Sequence, residues 1–103
     1  MHETDLEKAQ RDETRWRILR ALDAGRPLAV SETVIFRALS DASLDISPAT
    51  LRRELDYLRD KQLIELSGED GPVWAAALTG DGVDVVEYTV EAPAGIVRPK
   101  KWY

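Results

Sequence analysis

The sequence predicts a mainly α-helical fold with a small β-hairpin, and three observations along its 103 residues support this fold class. The segment 47–62 carries leucines at spacings of four and three residues, on one stripe of a helix: Leu51, Leu55 and Leu58. A strand-like run, 63–67, follows it directly. A second run, 73–78, comes after a loop with two glycines and a proline, residues that favour a turn and cannot continue a central strand.

Composition places the chain among ordinary soluble domains. It is 44% hydrophobic and 32% charged, and its length suits a single modest core. The longest apolar runs are far shorter than the roughly 20 residues that cross a bilayer. Residues 1–13 are charged throughout, unlike a secretory signal. We therefore expect a cytoplasmic protein with no membrane partner.

Residues that carry chemistry are scarce in this sequence. There is no cysteine, and His2 is the single histidine, so no zinc-type ligand set and no Ser–His or Cys–His pair can be assembled. The segment 80–82 is too short for a phosphate-binding loop and does not follow a suitable strand. The sequence predicts neither catalysis, nor a metal, nor a cofactor.

The first predicted helix covers about 5–24. Its apolar stripe contains Trp16, Leu19 and Leu22, and Gly25 is a natural stop, because glycine readily adopts the left-handed conformation that ends many helices. Acids lie between its arginines, which predicts a solvated face for this set: Arg11, Arg15, Arg17 and Arg20.

The second predicted helix begins after a connector at 26–30, with Ser31 as its N-cap, and runs to about Leu44. Helical spacing predicts its buried face: Val34, Ile35, Ala38 and Leu39. The segment 47–62 forms the third helix, with Ser47 as N-cap and Pro48 in the first turn, where its missing N–H costs nothing. Two capped helices followed by a strand form a helix-turn-helix.

Together these elements predict a winged helix-turn-helix, with a three-helix core, a two-stranded wing, a short C-terminal helix and an extended tail. Thr79 is expected to cap the last helix, 81–89, although its valines favour a strand by propensity. Residues 1–90 would form the domain, and 91–103 would form the extended basic tail.

Four motifs follow one another from Ser47 onward: S-x-x-T-L-x-x-x-L-x-x-L, L-I-E-L, a glycine-containing hairpin and A-L-T-G-D-G. In this order they resemble winged-helix regulators of the MarR, PadR and ArsR type, whose Leu-Thr-x-x-Gly step is matched by Leu78, Thr79 and Gly82. The length, element order and ending at 95–99 also resemble small winged-helix proteins of Mu-type phages and prophages. The resemblance implies a transcription regulator, or a phage-encoded control factor, that reads duplex DNA. Because a single basic helix buries little surface and specific binding normally needs two half-sites, we expect a homodimer.

Two departures from this pattern bear on DNA binding. The third helix ends at Gln62, where such regulators commonly have glycine, and the wing tip carries Glu69 and Asp70, where they often have a base. Phosphates would repel this tip. The net charge is −5, and residues 63–92 contain seven acids without a lysine or arginine. An alternative function is therefore a protein–protein interaction module that uses the acidic wing face and binds no DNA.

The candidate DNA contacts lie on the helix 47–62, on its outward and flanking faces: Ser47, Thr50, Arg52, Arg53 and Arg59. The two hydroxyls would contact phosphate, and the arginines would contact phosphate or guanine edges, which a guanidinium can pair with bidentately. Alternatively, the arginines form ion pairs with Asp56 and Asp60 on a solvated helix face.

The tail contains three bases that would contact phosphates as a flexible arm: Arg98, Lys100 and Lys101. They would otherwise pair with the acidic region 63–92 of the same or a partner chain, or have no role.

Overall fold

The structure is a computed structural model that describes residues 3–101. Its elements, in chain order, are α1 (Asp5–Gly25), β1 (Val30–Ser31), α2 (Glu32–Asp41), α3 (Pro48–Asp60), β2 (Ile64–Ser67), β3 (Ala75–Leu78) and α4 (Gly80–Val86). The fold is mainly helical with a small antiparallel sheet, an arrangement compatible with a winged helix. His2 lies outside the described residues.

Hydrogen-bonding side chains define the beginnings of the helices. The predicted caps Ser31, Ser47 and Thr79 accept from the backbone N–H groups of the third helical residues of α2, α3 and α4. α1 begins with a capping box, in which Thr4 accepts from the Glu7 N–H and the Glu7 carboxylate accepts from the Thr4 N–H. Capping therefore makes even the charged front of α1 helical.

The sheet has three strands in the order β1-β3-β2, with both pairs antiparallel. β2 and β3 form the predicted hairpin, with Ile64 opposite Leu78 and Ser67 opposite Ala75. The prediction of only two strands is wrong, because Val30 and Ser31 pair with Ala76 and Ala75. A strand of two residues is too short to show the alternation of apolar and polar residues that indicates a strand. The sequence therefore predicted a connector for this segment.

A single core fills the space between the helices and the sheet. Its buried apolar residues come from every helix, from β2 and β3, and from the tail: Trp16, Ile18, Leu19, Leu22, Ile35, Leu39, Leu51, Leu55, Leu58, Leu63, Ile64, Ala76, Val85, Val86 and Ile96. The predicted burial of Trp16 and of the α3 leucines is confirmed. Trp74 packs against this core but is only partly buried.

The buried face of α2 is narrower than predicted. Ile35 and Leu39 are buried, whereas Val34 is 57% exposed and Ala38 is also exposed. α2 has only ten residues, and positions four apart are enough to cover its contact with α1 and α3. The prediction that Val34 and Ala38 are also buried is therefore wrong.

Three helices end in a Schellman motif, in which the residue after the cap is left-handed and two backbone bonds close the last turn. α3 ends this way at Gln62, which has φ 64°, with the Leu63 N–H bonded to the Leu58 carbonyl at 3.0 Å. The equivalent residues after α2 and α4 are Ser43 and Tyr88, both at φ 62°. α4 consequently ends at Val86 rather than at the predicted residue 89.

Close backbone approach places α4 against Leu63, the residue before β2. A Cβ on Gly82 would collide with the carbonyl of Leu63, so only glycine permits this contact. The valines of α4 are helical despite their strand propensity, because Val85 and Val86 are buried against the core.

The tail packs along the domain rather than extending from it. Ile96 is in the core, and the Val97 N–H donates to the Asp12 carbonyl of α1 at 3.3 Å. The Tyr88 hydroxyl donates to the Pro99 carbonyl at 2.6 Å. Residues 93–99 are thereby held against both α1 and the end of α4.

Candidate nucleic-acid interface

The N-terminal half of α3 presents a small polar surface made by Ser47, Thr50 and Arg53. The Ser47 hydroxyl accepts from the Thr50 N–H at 3.0 Å and lies 2.9 Å from the Thr50 hydroxyl oxygen. Arg53 points outward and is exposed, as its place opposite the leucine stripe predicted. Among the residues from 3 to 101 its guanidinium has no ion pair or hydrogen bond, so it is available to an external ligand.

Arg52, the neighbour of Arg53, has a different environment. Its Nε and Nη2 atoms donate to the two carboxylate oxygens of Glu32 on α2, at 2.8 and 2.6 Å. Nη2 also reaches the Pro72 carbonyl at 3.1 Å, and the guanidinium lies 4.6 Å from the centre of the Trp74 ring. The alternative pairing of Arg52 with Asp56 is therefore wrong, and the long-range partner Glu32 takes its place.

The hydrogen bonds from Arg52, against some opposition from burial, hold the pKa of Glu32 below its usual range. A backbone N–H from Trp74, 2.9 Å from Glu32 Oε1, acts in the same direction. The same pairing raises the pKa of Arg52. Both groups are charged at neutral pH, and the Arg52 guanidinium is largely committed to this contact.

Arg59 is surrounded by carboxylates. It pairs with Asp56 at 3.1 Å and Asp60 at 3.5 Å, as the ion-pair alternative predicted, and also with Glu69 in the hairpin loop at 2.8 Å. This last contact ties the loop to α3 and neutralises one acid at its tip. Asp70 and Glu65 of the hairpin are exposed.

A buried ionic network behind α3 was missed in the sequence. Arg15 Nε donates to Glu54 Oε1 at 2.7 Å, the guanidinium stacks 3.5 Å from the centre of the Tyr57 ring, and Nη1 donates to the Gly95 carbonyl. Asp12 joins the network as an ion-pair partner of Arg15. The solvated face predicted for the arginines of α1 is thus wrong for Arg15, whose side chain is only 9% exposed.

Two neighbouring bases on α1 lower the pKa of Asp12. Burial opposes ionisation, but Lys8 at 2.7 Å and Arg11 at 3.3 Å hold the pKa of Asp12 below its usual range. The spacing along α1 contained the signal for this network. Asp12 and Arg15 fall on the same helical stripe as Trp16 and Leu19, where a charge requires a buried partner.

Of the three tail bases, Arg98 is engaged inside the domain. Its Nη1 donates to the Val85 and Val90 carbonyls at 2.9 and 2.8 Å, and its guanidinium lies 4.2 Å from the centre of the Tyr88 ring. Arg98 thereby satisfies a carbonyl at the C-terminal end of α4. Lys100 and Lys101 are exposed, and Lys101 lies 5.2 Å from the centre of the Tyr88 ring.

Two negative findings concern the part of the chain between residues 3 and 101. No cluster of three or more His, Cys, Asp or Glu side chains is arranged to hold a metal ion there. No helix in the same part is both long and apolar enough to span a membrane.

No family model and no curated protein matches this chain. Among solved structures, BpsR of Bordetella bronchiseptica, whose DNA binding is regulated by 6-hydroxynicotinic acid, is 25% identical with a TM-score of 0.58. That match covers 74% of this chain and 50% of BpsR, so the chain spans about half the length of BpsR. RosR of H. salinarum is 28% identical with a TM-score of 0.63, over 74% of this chain and 71% of RosR. The chain is thus similar in fold, over most of its length, to a protein that binds DNA.

Proposed function

We propose that this protein is a winged-helix transcription regulator that binds duplex DNA through the N-terminal half of α3. The observation that carries the proposal is the exposed side chain of Arg53, three residues after Thr50 in the N-terminal half of α3. A helix N-terminus favours phosphate, and a free guanidinium can pair with phosphate or with a guanine edge. The fold similarity to BpsR supports the same function.

The candidate bases differ in their environments. Arg53 is the primary proposed contact, and the exposed side chains of Lys100 and Lys101 are proposed as secondary phosphate contacts. Arg52 and Arg59 border the same surface, but acids on α2, on α3 and in the hairpin occupy their guanidinium groups. Arg98 holds the end of α4 instead.

We propose further that two copies act together. One α3 with one available arginine buries little surface, and helix-turn-helix proteins commonly gain specificity by binding two half-sites. The first two turns of α1 are exposed, including Leu6 at 67%, and offer a surface to a second copy. Sedimentation of the protein with and without duplex tests this stoichiometry.

The experiment that tests DNA binding selects duplexes from a random library at low salt and then measures affinity by fluorescence anisotropy across a salt series. Arg53→Ala should weaken binding about tenfold or more, and a phosphate contact would also lower the salt slope by about one per copy. Arg17→Ala is the matched control, because Arg17 is exposed on α1 and its contact with Glu13 is a surface pair at 3.7 Å.

Two outcomes would refute the proposal. A folded wild-type protein that binds no duplex at low salt would favour the protein-docking alternative. Equal losses for Arg53→Ala and Arg17→Ala would show that only overall charge matters and that α3 is not the reading element.

A further inference from the structure

Arg52 and Glu32 connect three segments that are far apart in the chain. Glu32 is the first residue of α2, Arg52 lies in the first half of α3, and their contact reaches the end of the hairpin loop at 72–74, just before β3. A planar guanidinium paired with both oxygens of a carboxylate has a fixed geometry that a lysine ammonium cannot reproduce. The pair therefore fixes the orientation of the two side chains relative to each other as well as the distance between them.

The end of the hairpin loop is bonded to this pair on both sides. The Glu32 N–H donates to the Trp74 carbonyl at 2.8 Å, and the Trp74 N–H donates to Glu32 Oε1 at 2.9 Å. Arg52 donates to the Pro72 carbonyl and stacks on the Trp74 ring. Side chains on α2 and α3 thus hold the start of the second hairpin strand in place.

A second contact fastens the tip of the same hairpin. Arg59, seven residues after Arg52 on the same flank of α3, pairs with Glu69 at 2.8 Å. The hairpin also carries exposed carboxylates at Glu65 and Asp70. If the hairpin were released, these acids would be free to approach a duplex bound at Arg53 and repel its phosphates.

We propose that Arg52 is a positioning residue for DNA binding: with Glu32 it sets the angle of the acidic hairpin to α3, so that Arg53 reaches DNA while the hairpin carboxylates stay clear. This inference rests on the proposed function and assigns different tasks to two neighbouring arginines. Arg53 contacts the duplex, and Arg52 acts through Glu32 and Trp74.

The decisive variant is Glu32→Gln, because an effect of charge and an effect of positioning would change its affinity for duplex DNA in opposite directions. Removing a carboxylate makes the protein less acidic, so electrostatics alone predicts tighter duplex binding. Loss of the bidentate ion pair predicts weaker binding of the duplex, by about fivefold or more. Arg52→Lys keeps the charge and should weaken binding similarly with an unchanged salt slope, and the double variant should be no worse than either single one.

Glu65→Gln is the matched control. Glu65 is an exposed carboxylate on β2 with no ion pair within the described residues, so its removal should leave binding unchanged or slightly tighter. Tighter binding for both glutamine variants would overturn the proposal, as would full affinity for Arg52→Lys.

Amide hydrogen exchange without DNA separates this inference from the proposed function. Release of the hairpin should accelerate exchange of the Trp74 N–H and of the residue 32 N–H, which bond across this contact, in both Glu32→Gln and Arg52→Lys. Unchanged exchange would refute the positioning role even if DNA binds. Wild-type protein that binds no duplex would instead refute the proposed function, whatever the exchange shows.

Discussion

The residue after the C-cap of each of α2, α3 and α4 adopts a backbone conformation that is usually left to glycine. Ser43, Gln62 and Tyr88 are all left-handed, and each is followed by a residue whose N–H closes the helix end. For a residue with a side chain this conformation costs roughly 1–2 kcal/mol. Gln62 offsets part of the cost, because its carbonyl accepts from the Thr79 hydroxyl at 2.7 Å and joins α3 to the cap of α4.

Replacing Gln62 by glycine should therefore stabilise the protein. We expect the free energy of unfolding to rise by about 0.5–1 kcal/mol, since relief of the left-handed strain exceeds the extra freedom of glycine in the unfolded chain. Urea denaturation monitored by circular dichroism measures the change. Gln62→Ala is the control and should bring no gain, because alanine keeps the strained Cβ.

Arg52 and Arg53, which are neighbours on α3, show what the sequence can and cannot predict about single residues. The leucine stripe places Arg53 outward and Arg52 on a flank, and both placements follow from helical geometry. The partner of Arg52 did not follow, because Glu32 is twenty residues away and belongs to another element. Helical spacing shows where a side chain points, whereas its partner depends on how the elements pack.

At the scale of elements, the start of α2 depends on an ionised carboxylate. Glu32 has a lowered pKa in the folded protein because Arg52 and the Trp74 N–H bind its charged form. A carboxylate with a depressed folded pKa contributes stability above its unfolded pKa, about 4.3 for glutamate, and loses that contribution as pH falls through the folded value.

Acidification should therefore separate the wild-type protein from Glu32→Gln. Both melting temperatures should fall below about pH 5 because Asp12 also has a lowered pKa, but the wild-type value should fall more steeply. The gap between the two proteins should be widest near neutral pH and should narrow in acid. Calorimetry across this range tests it, and parallel melting curves would contradict a stabilising charge on Glu32.

Elements differed in how well the sequence predicted them. The caps Ser31, Ser47 and Thr79 each mark a helix start. They could be predicted from the local sequence, because a hydroxyl just before a helical apolar pattern can bond the unpaired N–H groups of the first turn. β1 has no such local signal, since its two residues are strands only through pairing with β3. The end of α4 was also missed, because Tyr88 terminates it through backbone geometry rather than as a recognised stop.

At the scale of the whole molecule, Arg15 is the residue on which three segments converge. It lies on α1, pairs with Glu54 of α3 and donates to Gly95 of the tail. A buried charge that loses its partner is costly, whereas replacing a whole buried pair by apolar residues is often neutral. Its energetic role can therefore be tested by comparing single and double variants.

Arg15→Met should lower the free energy of unfolding by about 3–5 kcal/mol, because it leaves the Glu54 carboxylate buried without a counter-charge. Arg15→Met combined with Glu54→Leu should recover most of that loss. Chemical denaturation of the two single variants and the double variant completes the cycle. Additive losses would show that the two side chains act independently.

The network around Arg15 also explains why the tail was predicted less well than the helices. Its two prolines and its glycine indicate irregular structure, and the structure is irregular there. Nothing local indicates that Ile96 enters the core or that Gly95 lies under Tyr57 and Arg15. The Arg15–Gly95 contact joins residues 80 positions apart, and only the assembled fold brings them together.

The central strand of the sheet begins with three alanines, Ala75 to Ala77, and α1 lies against it. Alanine has no side-chain torsion that could adjust to a sliding neighbour, and Ala76 is fully buried. Ala76 therefore cannot repack to absorb a displacement of the hairpin. The longer side chains of α1 on the other side of this contact would have to accommodate it.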